Sequence, residues 1–165
     1  MFTRILLAIG ASDSSDIALS YTTSLAKSSG ASVRVVHVNE YLVGGRGFTV
    51  ATQAEAISHL ESAVQTLREA GVSAGGSLYL TSCFGVEARI VNAAHDWAAD
   101  VIVMGSRRQR RFGRFGGKGM RDRVMAQTAL PVLVAPAPLS VSDGRMPQLP
   151  ELPLVPMADF PSISI

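Results

Sequence analysis

Cysteine is nearly absent from this chain: Cys83 is the only one in 165 residues. A single thiol closes no internal disulfide and builds no cysteine-based zinc site by itself. It suits a reducing compartment, and the chain is expected to be cytoplasmic. Long hydrophobic runs are missing as well. The longest, such as 5–9, last five to seven residues, whereas a membrane-spanning helix takes about 20. Arg4, the apolar run and the small residues Gly10, Ala11 and Ser12 have the outline of a secretion signal. The apolar part is at the lower limit for one, and the same residues serve as a first strand. Aromatic residues (6%) and charged residues (17%) are scarce, while hydrophobic residues reach 47%. That balance excludes global disorder and fits one ordinary domain.

The few charges are unevenly placed. Eight of the 15 basic residues fall between 107 and 123: Arg107, Arg108, Arg110, Arg111, Arg114, Lys118, Arg121 and Arg123. Asp122 is the only acid there, so the window carries +7 and the remainder −5, although the whole chain carries only +2. An acidic body with one basic segment focuses its potential on an anionic partner.

Residues 4–9 form a short apolar run suited to a strand buried on both faces. Ser12 or Asp13 can cap a helix over 14–29 that Gly30 ends. The β-branched stretch 32–38 predicts a second strand. Ala56, Leu60, Ala63, Val64 and Leu67 predict a helix over 52–70, closed by Gly71. A third strand is expected over 76–82, a third helix over 86–98, and a buried strand over 101–104. A short helix follows over 119–128, then a last strand over 132–135. Strands alternating with helices predict a parallel sheet with helices on both faces.

From Pro138 the composition changes, with six of the eight prolines at or beyond it. Pro147, Pro150, Pro153 and Pro156 are three apart, so in a polyproline II helix they share a face, and Leu149, Leu152 and Val155 share another. The chain is thus expected to comprise a domain over 1–137 and an extended arm over 138–165.

In open α/β sheets ligands bind beyond the carboxyl ends of the strands, where the strand order reverses. The candidate loops are 10–13, 38–50 and 105–119. The third carries Gly105, Gly113, Gly116, Gly117 and Gly119, which let a ligand approach the backbone closely. A helix start follows it, and Arg107, Arg108 and Lys118 add charge, so phosphate or another polyanion is the expected guest. The loop is not a phosphate-binding Walker loop, since Phe112 stands at the first glycine position and Gly119 at the hydroxyl position. Ser14 stands where a nucleophile elbow requires glycine. His37, His59 and His95 lack metal-ligand spacing. His37 reads as a core histidine, Cys83 as a packing residue, and Trp97 with the stripe 86–91 as core.

The blocks RILLAIGASDSSDIAL, VRVVHV, DVIVMGSR and DRVMAQTALPVLVAP together resemble the universal stress protein family over about residues 3–136. The resemblance implies a Rossmann-like α/β fold with a five-stranded parallel sheet in the order 3-2-1-4-5. It also implies a homodimer through the last strand, Val132, Leu133, Val134 and Ala135. ATP bound between strands 1 and 4 is the implied ligand of many members. The implied nucleotide pattern is Gly, two residues, Gly, nine residues, Gly, then Ser or Thr. Gly105 fits its start. The second glycine falls on Arg108, and the closing pair on Lys118 and Gly119 or, with one inserted residue, on Gly119 and Met120. The acid implied near the ribose is replaced by Gly10, its following glycine by Ala11, and Ser12 is kept. The backbone near Val38 would meet adenine.

The candidate ligand-binding set is therefore Gly10, Ala11, Ser12, Asp13, Val38, Gly105, Arg107, Arg108, Gly117, Lys118, Gly119 and Met120. ATP, AMP, a cyclic nucleotide or a cyclic dinucleotide would suit the charge. The expected role is that of a non-catalytic regulator, with weak ATP hydrolysis the most the resemblance allows, because the crevice offers no acid but Asp13. The alternative is an interaction protein with no small ligand, docking on an acidic partner or a transporter domain through loop 107–114 and arm 147–156. Nucleic acid ranks last, since one short basic loop is a small footprint despite Phe112 and Phe115.

Overall fold

The computed structural model describes residues 1–10, 14–41, 52–82, 85–106 and 119–136. The arm 138–165, loop 107–114 and Cys83 lie outside the described residues. The elements run β1 (Arg4–Ile9), α1 (Ser14–Ser29), β2 (Ser32–Tyr41), α2 (Gln53–Glu69), β3 (Ala74–Ser82), α3 (Val86–Asp96), β4 (Val101–Met104), α4 (Met120–Gln127) and β5 (Val132–Val134). The five strands form one sheet in the order β3-β2-β1-β4-β5, and every neighbouring pair is parallel.

The apolar run at the start becomes the centre of this sheet. Ile5, Leu7 and Ile9 face α1 and α2 with Val33, Val35, Leu60, Val64, Leu67, Val101 and Val103. Leu6 and Ala8 face the other way, packing with Val36, Val86, Ile90, Ile102, Met104 and Val124 under α3 and α4. A strand covered on both sides needs apolar residues at every position, which explains why β1 does not alternate. Gly30, at φ +70°, ends α1 in the left-handed region that other residues enter only at a cost.

Several boundaries differ from expectation. β2 continues three residues beyond Val38, because Asn39, Glu40 and Tyr41 pair with Leu80, Thr81 and Ser82 of β3. β3 begins two residues early, taking in Ala74 and Gly75 ahead of the expected start at Gly76. Gly76 sits in a strand because α2 presses on it: a Cβ there would lie 3.0 Å from Leu60 Cγ. α3 stops at Asp96, where Trp97 caps it and Ala98 turns to φ 51°. Trp97 packs only partly into the core, with the Arg34 guanidinium 5.4 Å over its ring. β5 ends at Val134, and the Ala135 N–H still bonds the Met104 carbonyl at 2.9 Å.

Candidate functional site

The order of strands reverses between β1 and β4. β1 leads to β2 on one side through α1, and β3 leads back over the other face through α3 to β4. The register pairs Ala8 with Met104 and Ile9 with His37. The chain therefore leaves β1 at Gly10 beside Gly105, where it leaves β4, and abreast of Val38, one residue past the last pairing of β2 with β1. Three residues marked in the sequence converge at this carboxyl edge. Val38 itself lies within β2 rather than beyond it, with its side chain against the α3 and α4 core.

Gly10 is held by Ser15, the second residue of α1. The Ser15 hydroxyl accepts from the Gly10 N–H at 3.1 Å and donates to the Gly10 carbonyl at 2.7 Å. Neither conformation nor packing demands glycine here: a Cβ on Gly10 would meet no described atom within 4 Å.

Gly119 is the N-cap of α4, extended at φ −64° and ψ 164°. Its N–H donates to Asp122 Oδ2 at 3.1 Å, half of the reciprocal capping pattern, since glycine has no side chain to return the bond. Met120 opens the helix and packs partly against the α3 and α4 core. Arg123 is committed elsewhere, with its Nε 3.6 Å from Oε2 of Glu87, a carboxylate 9% exposed on α3. That pair ties α4 to α3 and takes one positive charge of the basic segment out of play. Ala11, Ser12, Asp13, Arg107, Arg108, Gly117 and Lys118 lie outside the described residues.

Two features of this edge were not marked in the sequence. The first is a cleft of about 360 Å³ between the N-terminal half of α1 and the middle of α2, lined by Ile9, Gly10, Ser15, Asp16, Leu19, Ser58, His59, Ser62 and Ala63. The helical spacing of 15–19, 58–62 and 59–63 puts these residues on facing surfaces, a pattern readable only once the two helices are known to be neighbours. The second is the state of His37. It is 3% exposed, and its Nδ1 has no hydrogen-bond partner among the described residues. Burial lowers its pKa below 6.5, the Ile9 carbonyl group raises it in part, and His59 lowers it further. The core placement expected for His37 holds, with one ring nitrogen left unsatisfied. Among the described residues no group of three or more His, Cys, Asp or Glu is arranged to hold a metal ion. No described helix is long and apolar enough to cross a membrane.

The fold recurs in solved structures. A universal stress family protein from Burkholderia pseudomallei is 24% identical, covers 82% of this chain and 96% of its own, and superposes with a TM-score of 0.67. A universal stress protein from Archaeoglobus fulgidus in complex with dAMP is 26% identical over 80% of this chain and 96% of its own, with a TM-score of 0.60. A universal stress protein in complex with cAMP is 19% identical over 81% of this chain and 95% of its own, with a TM-score of 0.63. A comparison with curated proteins found no match. The family model described as Universal stress protein family matches residues 1–136, most of the chain. With the sheet order expected from that resemblance present in the structure, the chain belongs to the universal stress protein family.

Proposed function

We propose that this protein is a non-catalytic regulator that binds a nucleotide or a related phosphorylated anion at the carboxyl edge between β1 and β4. The observation that carries the reading is the convergence of Gly10, Val38 and Gly105 at the switch point. They are followed along the chain by a segment of net charge +7 and the start of α4 at Gly119. Glycines admit a ligand close to the backbone, and the N-terminus of a helix favours an anion. Ala11, Ser12, Asp13, Arg107, Arg108, Gly117, Lys118 and Met120 complete the proposed set. Related structures that hold dAMP and cAMP support the ligand class. Binding selects one arrangement of the basic segment and so changes what the protein docks on; no bond need be broken.

Calorimetry against ATP, AMP, cAMP and a cyclic dinucleotide tests this. Saturable binding of at least one, weakened at least tenfold when Arg108 and Lys118 are changed to Ala, is expected. No heat from any of them at millimolar ligand overturns it.

A second reading is favoured by Arg108 at the second glycine position of the nucleotide pattern and by Gly119 where that pattern has a hydroxyl. In it the basic segment docks on an acidic protein partner without a small ligand. Capture of such a partner that needs the 107–114 arginines and ignores nucleotide would select it. In either reading we propose a cytoplasmic homodimer through β5, an edge strand whose Val132, Leu133 and Val134 are partly exposed. Light scattering that returns a monomer would remove the dimer.

A further inference from the structure

The two edge strands of the sheet are unlike. β5 has three residues, whereas β3 has nine and, among the described residues, pairs on one side only, with β2. Just before β3 the Ser73 carbonyl accepts from the Val33 N–H of β2 at 2.8 Å, while the next carbonyl, that of Ala74, accepts from Arg68 Nε at 2.9 Å. Peptide groups alternate in direction along a strand, so those of Gly76, Leu78 and Leu80 also turn away from β2, toward where an added strand would bond them. β3 contains no charged residue and no proline, the usual means by which an edge turns partners away. We propose that β3 is a docking edge for an extended acidic peptide, which adds as a further strand and sets its carboxylates against Arg34 and Arg89.

The two arginines select the partner. The Arg34 guanidinium lies 5.4 Å from the centre of the Trp97 ring, and that of Arg89 lies 5.1 Å from the centre of the Tyr79 ring. Tyr79 and Trp97 pack against the α3 and α4 core, so both cations sit on the α3 side of the sheet. Arg34 Nη1 also donates to the Ser77 hydroxyl at 3.3 Å. Among the described residues neither arginine meets a carboxylate, and Arg34 Nη2 makes no hydrogen bond. Stacking uses the face of a guanidinium and leaves its N–H fork, which fits a carboxylate, free in the plane. Ser77 and Tyr79 are two residues apart on one side of β3, about 6.6 Å along the strand. An extended peptide beside β3 repeats its side chains at that same interval, so two acids flanking one residue meet the two guanidiniums. Leu78 packs on the α1 and α2 core, and Leu80 shares that side at 60% exposure. The residue between the two acids turns to this side as well, where an apolar side chain matches Leu80. A second copy of β3 would bring no acid. The occupant is therefore a partner segment with the pattern acid, apolar, acid.

Fluorescence anisotropy of labelled peptides titrated with the full chain tests this. A peptide of alternating Glu and Val is compared with its Gln and Val counterpart and with a backbone N-methylated form that has no N–H to give an edge. Wild type is expected to prefer the Glu peptide about tenfold over the Gln peptide, the scale of two partly exposed charge pairs, and not to bind the N-methylated form. Arg89→Gln, at an exposed side chain, should cut that preference to about threefold, and Arg34→Gln added to it should abolish the preference. Matching melting curves show that the variants fold; where Arg34→Gln does not, Arg89→Gln alone carries the test. A preference that survives these changes puts the peptide on another basic surface and overturns the docking edge, as does equal binding of the N-methylated form. Absence of binding of the Glu peptide at millimolar concentration overturns it too, and so does self-association through β3 that excludes the peptide.

Discussion

The two ends of the sheet are built on opposite principles. At the amino edge the polar groups are tied to one another. Asp100, just before β4, accepts from the Thr3 N–H at 2.7 Å, the Thr3 hydroxyl at 2.8 Å and the Arg4 N–H at 3.1 Å. The Asp100 N–H donates to the Arg4 carbonyl at 3.0 Å, and the Arg4 guanidinium donates to the Trp97 carbonyl at 3.2 Å. At the carboxyl edge, by contrast, no described atom would crowd a Cβ on Gly10, α4 has half a cap, and Nδ1 of buried His37 has no partner among the described residues. One end uses its polar groups to hold β1 and β4 together; at the other, the described residues make fewer such bonds. Sites that must bind give up local satisfaction, and a well-bonded region elsewhere compensates.

The contrast predicts different consequences of mutation at the two ends. The largest is at Asp100. Asp100→Ala removes the acceptor for three donors and should cost about 2 kcal/mol of unfolding free energy in urea, with nucleotide affinity unchanged. Burial alone would raise the Asp100 pKa, but the bonds from Thr3 and Arg4 outweigh it and hold it below 3.8. The contribution of this carboxylate is therefore complete above that value and disappears as pH falls through the lower folded-state pKa. Wild type should lose stability in that acid range more steeply than Asp100→Ala.

His37 gives the opposite end its own acid sensitivity, and at a milder pH. Its pKa is lowered on folding, so between the folded-state value and 6.5 the unfolded chain binds more protons than the native one. Stability should fall as pH drops below 6.5, and His37→Gln should flatten that slope. An unaltered slope in the variant would mean that the carboxyl edge is as settled as the amino edge.

A smaller effect is expected at Ala98, which holds φ 51° where α3 ends near the amino edge. Ala98→Gly should raise the melting temperature, through a gain of up to about 1 kcal/mol, because glycine meets no steric cost there. Smallest in stability, though not in function, are the glycines of the carboxyl edge. Gly119→Ser completes the α4 cap for a few tenths of a kcal/mol and returns a hydroxyl to the proposed phosphate site. A severalfold gain in affinity for nucleotide should follow, measured by calorimetry. Gly10→Asp should leave the urea midpoint within error, as no described atom lies within 4 Å of its Cβ, while adding an acceptor at the mouth of the cleft.

The architecture was legible because its signals are local. Alternation of apolar runs with helical stripes placed every element, and the all-apolar run from Ile5 to Ile9 marked the doubly covered strand. The misplaced ends have physical reasons. Asn39, Glu40 and Tyr41 look polar enough to end β2, yet a strand needs only a partner, and β3 supplies one. Ala74 and Gly75 fall outside the expected strand, yet both pair with β2, while Gly76 lies so close to α2 that a side chain would have to displace Leu60. At the carboxyl edge, Gly10, Gly105, Gly119 and Met120 could be placed in advance because they flank element ends, whereas Val38, expected at the end of β2, lies inside it. Asp16 and His59 could not. Each reads as a charged or polar residue on a solvated helix until the packing of α1 beside α2 brings the two faces together. The Asp100 bonds, which join residues 97 positions apart, were equally hidden.

The start of α2 has a further consequence. Thr52 accepts from the Glu55 N–H at 3.3 Å, and the Glu55 carboxylate accepts from the Thr52 N–H at 2.8 Å. Such a reciprocal cap is a punctuation mark: it defines the first turn from within the helix, whatever chain precedes it. The phase of α2, and with it the direction in which Ser58, His59 and Ser62 face, is then insulated from the length and composition of residues 42–51. Thr52 and Glu55 are therefore the two positions on which the orientation of that helix face depends at its start.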